Sequence, residues 1–454
     1  MRYHFIAIGG AAMHNLAIAL HLKGFHVTGS DDEIFDPAKS RLQKYGLLPA
    51  KMGWQPNILN KDIDAIILGM HACGDNPELQ RAKELGLVIF SYPEFLYDQS
   101  KNKTRIVIGG SHGKTTITAM ILHSFQELGI DTDYMVGSKL EGFEVMVKLS
   151  NAPYIVLEGD EYLSSPMDRR PKFHLYHPHI ALLSGIAWDH INVFPTFEIY
   201  KNQFQQFIEL IEPGGSLIYS QDDRHLETLA LNARHDIQQF PYHIPDFHIN
   251  AKDYRTEVVY DGETFQLSVF GKHNLMNLEG ARLVCEQIGI SGGAFYEAIS
   301  RFKGASNRLE IVAKTQATTI FKDFAHSPSK LKATTAAVKE QFADRRLVAC
   351  MELHTFSSLN SHFLAEYSGS MNRADLAIVY FNPHTIEHKR LEPISVEQVK
   401  AAFDRPDLVV MTDSAALQQL LLQQTWEKAN LLLMSSGNFD GVNYGDLADS
   451  LLKK

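Results

Sequence analysis

Cysteine is scarce in this chain: 454 residues contain three, Cys73, Cys285 and Cys350, far apart and odd in number. That excludes a disulfide framework or a zinc-type cysteine spacing and favours a reducing compartment. No uncharged apolar run approaches the roughly 18 residues that would cross a bilayer, so no membrane insertion is expected. Met1-Arg2-Tyr3-His4-Phe5 lacks the long apolar core of a secretory leader, and a cytoplasmic location follows as the expectation. Basic charge is not in surplus either. With 53 acidic and 43 basic side chains the formal charge is −10, and there is no long basic run. Nucleic acid and anionic membrane are therefore poor partners. Tandem repeats and low-complexity segments are also missing. The composition is that of an ordinary globular protein, 45% hydrophobic and 21% charged. The length suits about three domains of ~150 residues each.

The order of elements supports that count. Strands are expected at Tyr3–Ile8, His26–Thr28, Asp64–Leu68 and Leu87–Phe90, with helices at Met13–Lys23 and Pro77–Leu85. This βαβ alternation implies a parallel sheet with ligands at the carboxyl ends of its strands. The polar stretch Asp98–Lys103 is expected to be a linker. A second segment carries strands at Arg105–Ile108, Tyr154–Leu157 and Ile180–Ser184, a helix at Thr196–Ile211 and a hairpin over Val258–Val269. The hairpin is expected because Asp261-Gly262 suits a tight β-turn. Helices near Met276–Ile288 and Gly293–Phe302 follow, and a third αβ alternation starts at Leu309. The reading is α/β, three domains in series at residues 1–102, 103–307 and 308–454. The first and last are Rossmann-like and the central one resembles a P-loop ATPase.

Arg105-Ile-Val-Ile-Gly-Gly-Ser-His-Gly-Lys-Thr-Thr116 carries the clearest chemistry. A short buried strand, a glycine loop and a helix in succession make an anion cradle from backbone N–H groups and the positive helix end. Gly110, Ser111, His112 and Gly113 form the loop; Lys114 can reach the β/γ-phosphates, and the Thr115 hydroxyl can ligate the accompanying Mg²⁺. The first glycine of the usual Walker spacing is replaced by Ile108. ATP is the expected ligand.

Other strand ends carry candidate groups. Glu158 in Leu157-Glu-Gly-Asp-Glu161 and His190 in Ile186-Ala-Trp-Asp-His190 could hold a metal opposite the phosphates. Loop acids are usually only solvated charge, and a lone histidine is usually a structural hydrogen-bonder. In Gly271-Lys-His273-Asn274-Leu-Met-Asn277 the two asparagines share one helix face, where amides can read a base edge; Asn274 could equally cap the helix. Gly9-Gly10-Ala11-Ala12-Met13, with Ser30-Asp31 after the next strand, resembles a dinucleotide fingerprint without its later glycines. A diphosphate ligand other than NAD fits best, and the missing glycines count against an NAD-dependent oxidoreductase.

In this order the motifs, with Asn307-Arg308 and Asp323-Phe-Ala-His326, resemble the ATP-dependent Mur ligases of cell-wall precursor synthesis, from Gly9 to Asp440. The resemblance implies an ATP site of Gly110 to Thr116, His273, Asn274, Asn277, Arg308 and Asp323. Thr115, Glu158 and His190 would serve two magnesium ions, and Lys114, His190 and Arg308 would be catalytic. It implies a UDP-muramyl site of Gly9 to Met13, Ser30, Asp31, His71 and Asn76, and peptide contacts from His326, His354 and Ser358. The segments Gly69–Glu78 and Met434–Gly441 are similar to those of members that attach a tripeptide during murein recycling. The implied reaction joins UDP-N-acetylmuramate to L-alanyl-γ-D-glutamyl-meso-diaminopimelate through an acyl phosphate; the alternative amine is L-alanine. A non-catalytic nucleotide switch is the rival from another class. There are departures. The segment Leu353–Leu359 has neither the arginine of the L-alanine branch nor the Pro-Arg-Ser form common among the tripeptide-attaching members, and His326-Ser327-Pro328 carries one histidine where the L-alanine branch has two. The position where some members carbamylate a lysine is Gln205, so no carbamate is expected.

Overall fold

The computed structural model describes residues 1–70, 72, 74–138, 140, 142–165, 167–188, 193–305 and 308–453. Two compact units are formed, Met1–His243 with Asn277–Ile299, and Ile244–Met276 with Ser300–Lys454.

The first unit holds two sheets. In the first, four parallel strands lie in the order His26–Ser30, Arg2–Ile6, Ala65–Leu68, Ile89–Ser91. Alternate side chains serve opposite faces, as the pleat requires. Phe5 and Ile67 join the core that includes Leu16 and Leu20 of the helix Ala11–Leu22, while Ile6, Ile66 and Leu68 pack with Leu79 and Ala82 of Pro77–Glu84. The second sheet has seven strands, and Thr104–Gly109 lies between Ile180–Leu183 and Tyr154–Glu158, parallel to both. Its only antiparallel member among the described residues is Val147–Lys148, paired with Thr132–Met135. The phosphate loop leaves the carboxyl end of Thr104–Gly109, in the middle of this sheet, where open α/β folds bind ligands.

The second unit contains a three-stranded antiparallel sheet and a six-stranded sheet ordered Glu310–Lys314, Thr319–Asp323, Ala429–Met434, Arg346–Leu353, Leu376–Phe381, Val409–Met411. The expected hairpin is present as Thr256–Tyr260 and Glu263–Leu267, with Asp261 and Gly262 at φ +50° and +80°. Glu310–Lys314, which the sequence reading did not assign, adds an antiparallel edge.

The linker expected at Asp98–Lys103 is a correction. A helix runs from Tyr92 to Ser100, and Ser91 and Glu94 close a reciprocal capping box at its start. The polar residues at its end had suggested a loop, but buried Phe95 and Leu96 anchor the helix to the core. Asn274 also differs from a capping role: the helix Lys272–Gln287 has begun before it, and its amide donates to the Phe270 carbonyl at 2.9 Å.

Candidate nucleotide and ligase site

The loop Gly109–Gly113 is shaped by its own glycines and by the neighbouring strand end. Gly110 and Gly113 have φ of +118° and +80°, the left-handed region where a side chain is strained. A Cβ at Gly110 would strike Ser184, and one at Gly113 would strike the amide of Asn277. The Ser111 amide bonds the Gly185 carbonyl at 3.0 Å, and the Ser184 hydroxyl donates to the His112 carbonyl. The helix Lys114–Glu127 starts directly after Gly113, which has no side chain to cap it, so its positive end faces the loop.

Lys114 donates to the Gly110 carbonyl at 2.7 Å and to Glu161 at 2.6 Å. Burial works against its charge, but Glu161, Asp160 and Glu158 outweigh it and raise its pKa above the ordinary lysine value. The ammonium stays charged at neutral pH. The Thr115 hydroxyl donates to Oε1 of Glu158 at 2.8 Å, and Oε2 accepts the Gly137 amide at 2.8 Å. A hydroxyl and a carboxylate side by side are the hard oxygen donors that Mg²⁺ takes, so these residues fit the ion. Among the described residues no group of three His, Cys, Asp or Glu gathers to hold a metal. His190, expected as a further ligand, lies outside the described residues, as do Asp189, Asn307 and His71.

Thr116 is buried in the first turn of the helix. Asn277 is buried against Gly113. In the other unit, the imidazole of His273 is kept neutral by burial, which pushes its pKa down to about 4. There too Arg308 lies 4.8 Å over the Phe324 ring. Burial raises Asp323 to about 6 against the pull of Arg308 and the Leu309 amide.

The turn after the first strand is held by Asp31, whose Oδ2 accepts the Gly9 amide at 2.7 Å. Burial raises the Asp31 carboxyl to about 6, assisted by Asp32. Gly10 precedes the helix that Ala11, Ala12 and Met13 open. Ala11 and Ala12 are exposed and Met13 is buried. Ser30 is fully buried; its carbonyl accepts the Ala7 and Ile8 amides at 2.9 and 3.1 Å. Through these two bonds Ser30 supports the turn from beneath. The Asn76 side chain caps the helix Pro77–Glu84, accepting the amides of Glu78 and Leu79 at 2.9 and 3.1 Å. Beneath it Glu78 pairs with His4 at 3.3 Å, both side chains fully buried. Burial favours protonation of Glu78, but His4, Ser30 and the Gln55 amide together hold its pKa below the usual value.

In the second unit His326 Nδ1 contacts the Phe324 carbonyl at 2.8 Å. His354 is half-exposed, 3.5 Å from the buried Glu352, whose other oxygen accepts the Ser435 hydroxyl and the Phe439 amide. Ser358 corrects the expectation of a peptide contact: it is fully buried, and its hydroxyl is committed to a turn with Thr355. Gln205 is exposed and lines a groove with Ile208, Glu209, Leu229 and Asn232. Sequence reasoning did not single out Tyr200, Gly137 or Glu352. A polar tip on the apolar face of an amphipathic helix could have drawn attention to Tyr200.

The chain matches three family models in series: the Mur ligase family catalytic domain over 2–104, the Mur ligase middle domain over 108–285 and the Mur ligase glutamate ligase domain over 307–437. It is 27% identical to UDP-N-acetylmuramate–L-alanyl-γ-D-glutamyl-meso-2,6-diaminoheptandioate ligase of Escherichia coli, covering 100% of this chain and 99% of that one. It is 31% identical to UDP-N-acetylmuramate–L-alanine ligase of a Sulfurihydrogenibium species, over 83% and 82% of the two chains. Among solved structures, UDP-N-acetylmuramate–alanine ligase of Thermotoga maritima shares the fold with TM-score 0.71 at 19% identity, covering 100% and 98%. A murein peptide ligase of Psychrobacter arcticus does so with TM-score 0.64 at 23% identity, covering 99% and 98%. The chain belongs to the Mur ligase family. It is thus an ATP-dependent, ADP-forming carboxylate–amine ligase that works with Mg²⁺ on small-molecule substrates. No described helix is long and apolar enough to cross a membrane.

Proposed function

We propose that this ligase joins UDP-N-acetylmuramate to the tripeptide L-alanyl-γ-D-glutamyl-meso-diaminopimelate, in the cytoplasm, as a step of peptidoglycan recycling. The observation that carries the choice of amine is the likeness of Gly69–Glu78 and Met434–Gly441 to the tripeptide-attaching members, and the segment Leu353–Leu359, which contains no arginine or lysine, agrees with it. Free L-alanine presents a carboxylate beside its nucleophilic nitrogen and needs a cation there. In the tripeptide that carboxyl is already a neutral amide. The E. coli relative, matched along its whole length, is named for the tripeptide reaction. The second reading, L-alanine as the amine, draws support from Lys389, 4.6 Å over the Phe356 ring within this segment, and from the relatives named for that reaction.

A carboxylate is a poor electrophile, so the γ-phosphoryl is first transferred to it and the amine then displaces phosphate. Such transfer depends on positioning and charge neutralisation more than on covalent help. Lys114 and the helix start carry that load at the phosphate loop, and Asn277 supports the loop backbone. Thr115 and Glu158 would hold Mg²⁺, which neutralises phosphate charge when bound, and His190 would serve a second ion. Gly9 to Met13 and Asp31 would receive the UDP moiety, with Ser30 and Asn76 bracing them. His273, Asn274, Arg308 and Asp323 are assigned to nucleotide handling, and His326 and His354 to the incoming amine. The domains would run over 1–102, 103–307 and 308–454.

A phosphate-release assay with UDP-N-acetylmuramate, ATP and either amine tests the reading. Turnover with the tripeptide and little with L-alanine is expected; the reverse overturns the choice. Basal ATP hydrolysis indifferent to any muramyl substrate would instead favour a nucleotide switch.

A further inference from the structure

Glu161 and Tyr200 are buried beside the phosphate loop, with exposures of 1% and 0%, and the reaction as described gives neither a part. An ammonium has three N–H bonds. The Gly110 carbonyl and Glu161 Oε2 accept two of those of Lys114, at 2.7 and 2.6 Å. The second oxygen of Glu161 accepts the Tyr200 hydroxyl at 3.1 Å. That hydroxyl also lies 2.8 Å from Ser111 Oγ, which accepts the Ala187 amide at 2.8 Å.

The direction of this array follows from counting hydrogens. A phenol has one, and a carboxylate can only accept it. With the Tyr200 hydrogen on Glu161, the Ser111 hydroxyl must donate to the Tyr200 oxygen. Ser111 donates to Tyr200 and Tyr200 to Glu161, and the Lys114 ammonium donates to the other oxygen of that carboxylate. Ser111, Tyr200 and Glu161 are buried and Lys114 is partly so, and in a low-dielectric interior a network of this kind fixes one arrangement.

We propose that Tyr200 and Glu161 are positioning residues of the ATP site, which lock the Lys114 ammonium to Ser111 of the loop and reserve its third N–H for a phosphate oxygen. The inference rests on the phosphate loop receiving ATP, and not on which amine is used. A pair serving stability alone would have no reason to extend through Tyr200 to a residue of the loop.

The test uses the full chain with Tyr200→Phe, Glu161→Gln and the double variant. ATP affinity is read by calorimetry well below the unfolding midpoint, and kcat and KM for ATP by phosphate release. Each single change is expected to weaken ATP binding about 10-fold, the scale of a hydrogen bond to a charged group. KM for ATP should rise in step, KM for the muramyl substrate should hold, and the double variant should be no worse than Glu161→Gln. A lowered unfolding temperature with ATP affinity within twofold of the parent, or additive losses in the double variant, would overturn the proposal. Absence of ATP binding by the parent would overturn it too. A parent that binds ATP but ligates neither amine defeats the substrate assignment alone, and the calorimetry still decides this one.

Discussion

The hydroxyl of Thr115, in the first turn of its helix, donates at 2.8 Å to Glu158 at the end of a strand, while the Gly137 amide fixes the other carboxylate oxygen. The acid is therefore oriented before any ligand arrives. Replacing Glu158 with Ala removes a hard oxygen donor and releases the Thr115 hydroxyl. The half-saturating Mg²⁺ concentration should rise at least ~10–100-fold, the scale of disturbed metal shells. Titrating activity against Mg²⁺ checks it; an unchanged Mg²⁺ curve would remove Glu158 from the metal site.

Gly113→Ala combines a left-handed φ of +80° with a collision against Asn277. Backbone strain alone costs about 1–3 kcal/mol. Gly129, at φ +69° just past the same helix, has open space around it and serves as the control. Both substitutions should lower the unfolding temperature, but only Gly113→Ala should weaken ATP binding, as calorimetry would show.

Glu78 and His4 form a fully buried hydrogen-bonded pair beneath the first sheet's turn. Glu78→Ala strands His4 and the Gln55 amide, and leaving a buried donor unsatisfied costs about 1–3 kcal/mol. Urea denaturation should give that loss, and Glu78→Gln, which keeps most hydrogen bonds, should lose less. Equal stability in all three proteins would contradict the pairing.

Asp31 titrates near 6, above the ordinary 3.8, chiefly because burial disfavours its charge. A raised carboxyl favours the fold while protonated, so its contribution is complete below about pH 4 and fades as pH climbs through 6. The full effect is about 2–3 kcal/mol. Asp31→Asn should therefore gain on the parent protein between pH 4 and 7. Parallel thermal-unfolding curves across that range would refute the raised pKa.

Much of this was legible in the sequence because it depends on local chemistry. Gly110, Gly113, Lys114 and Thr115 announce a phosphate loop by residue type and spacing, and Asp261-Gly262 announces its hairpin. Tyr200 and Glu161 were not legible: they lie 39 residues apart, and their partnership exists only because separate elements bring them to one loop. Ser358 misled in the opposite way. Its place in a family-like segment suggested a ligand contact, but a serine three residues after Thr355 closes a local turn as readily. Asp98–Lys103 looked like a tether since polar residues mark both loops and the ends of helices.

That last segment has a practical meaning. The Arg105 guanidinium collects the carbonyls of Ser100, Lys101, Tyr176 and His177 and the carboxylate of Glu212, riveting the helix end to the strand that feeds the phosphate loop. The passage between the first two sheets is a splice, not a swivel. Mild protease should spare it, and severing the front module at residue 102 would leave a cation in the interior stripped of two of its acceptors.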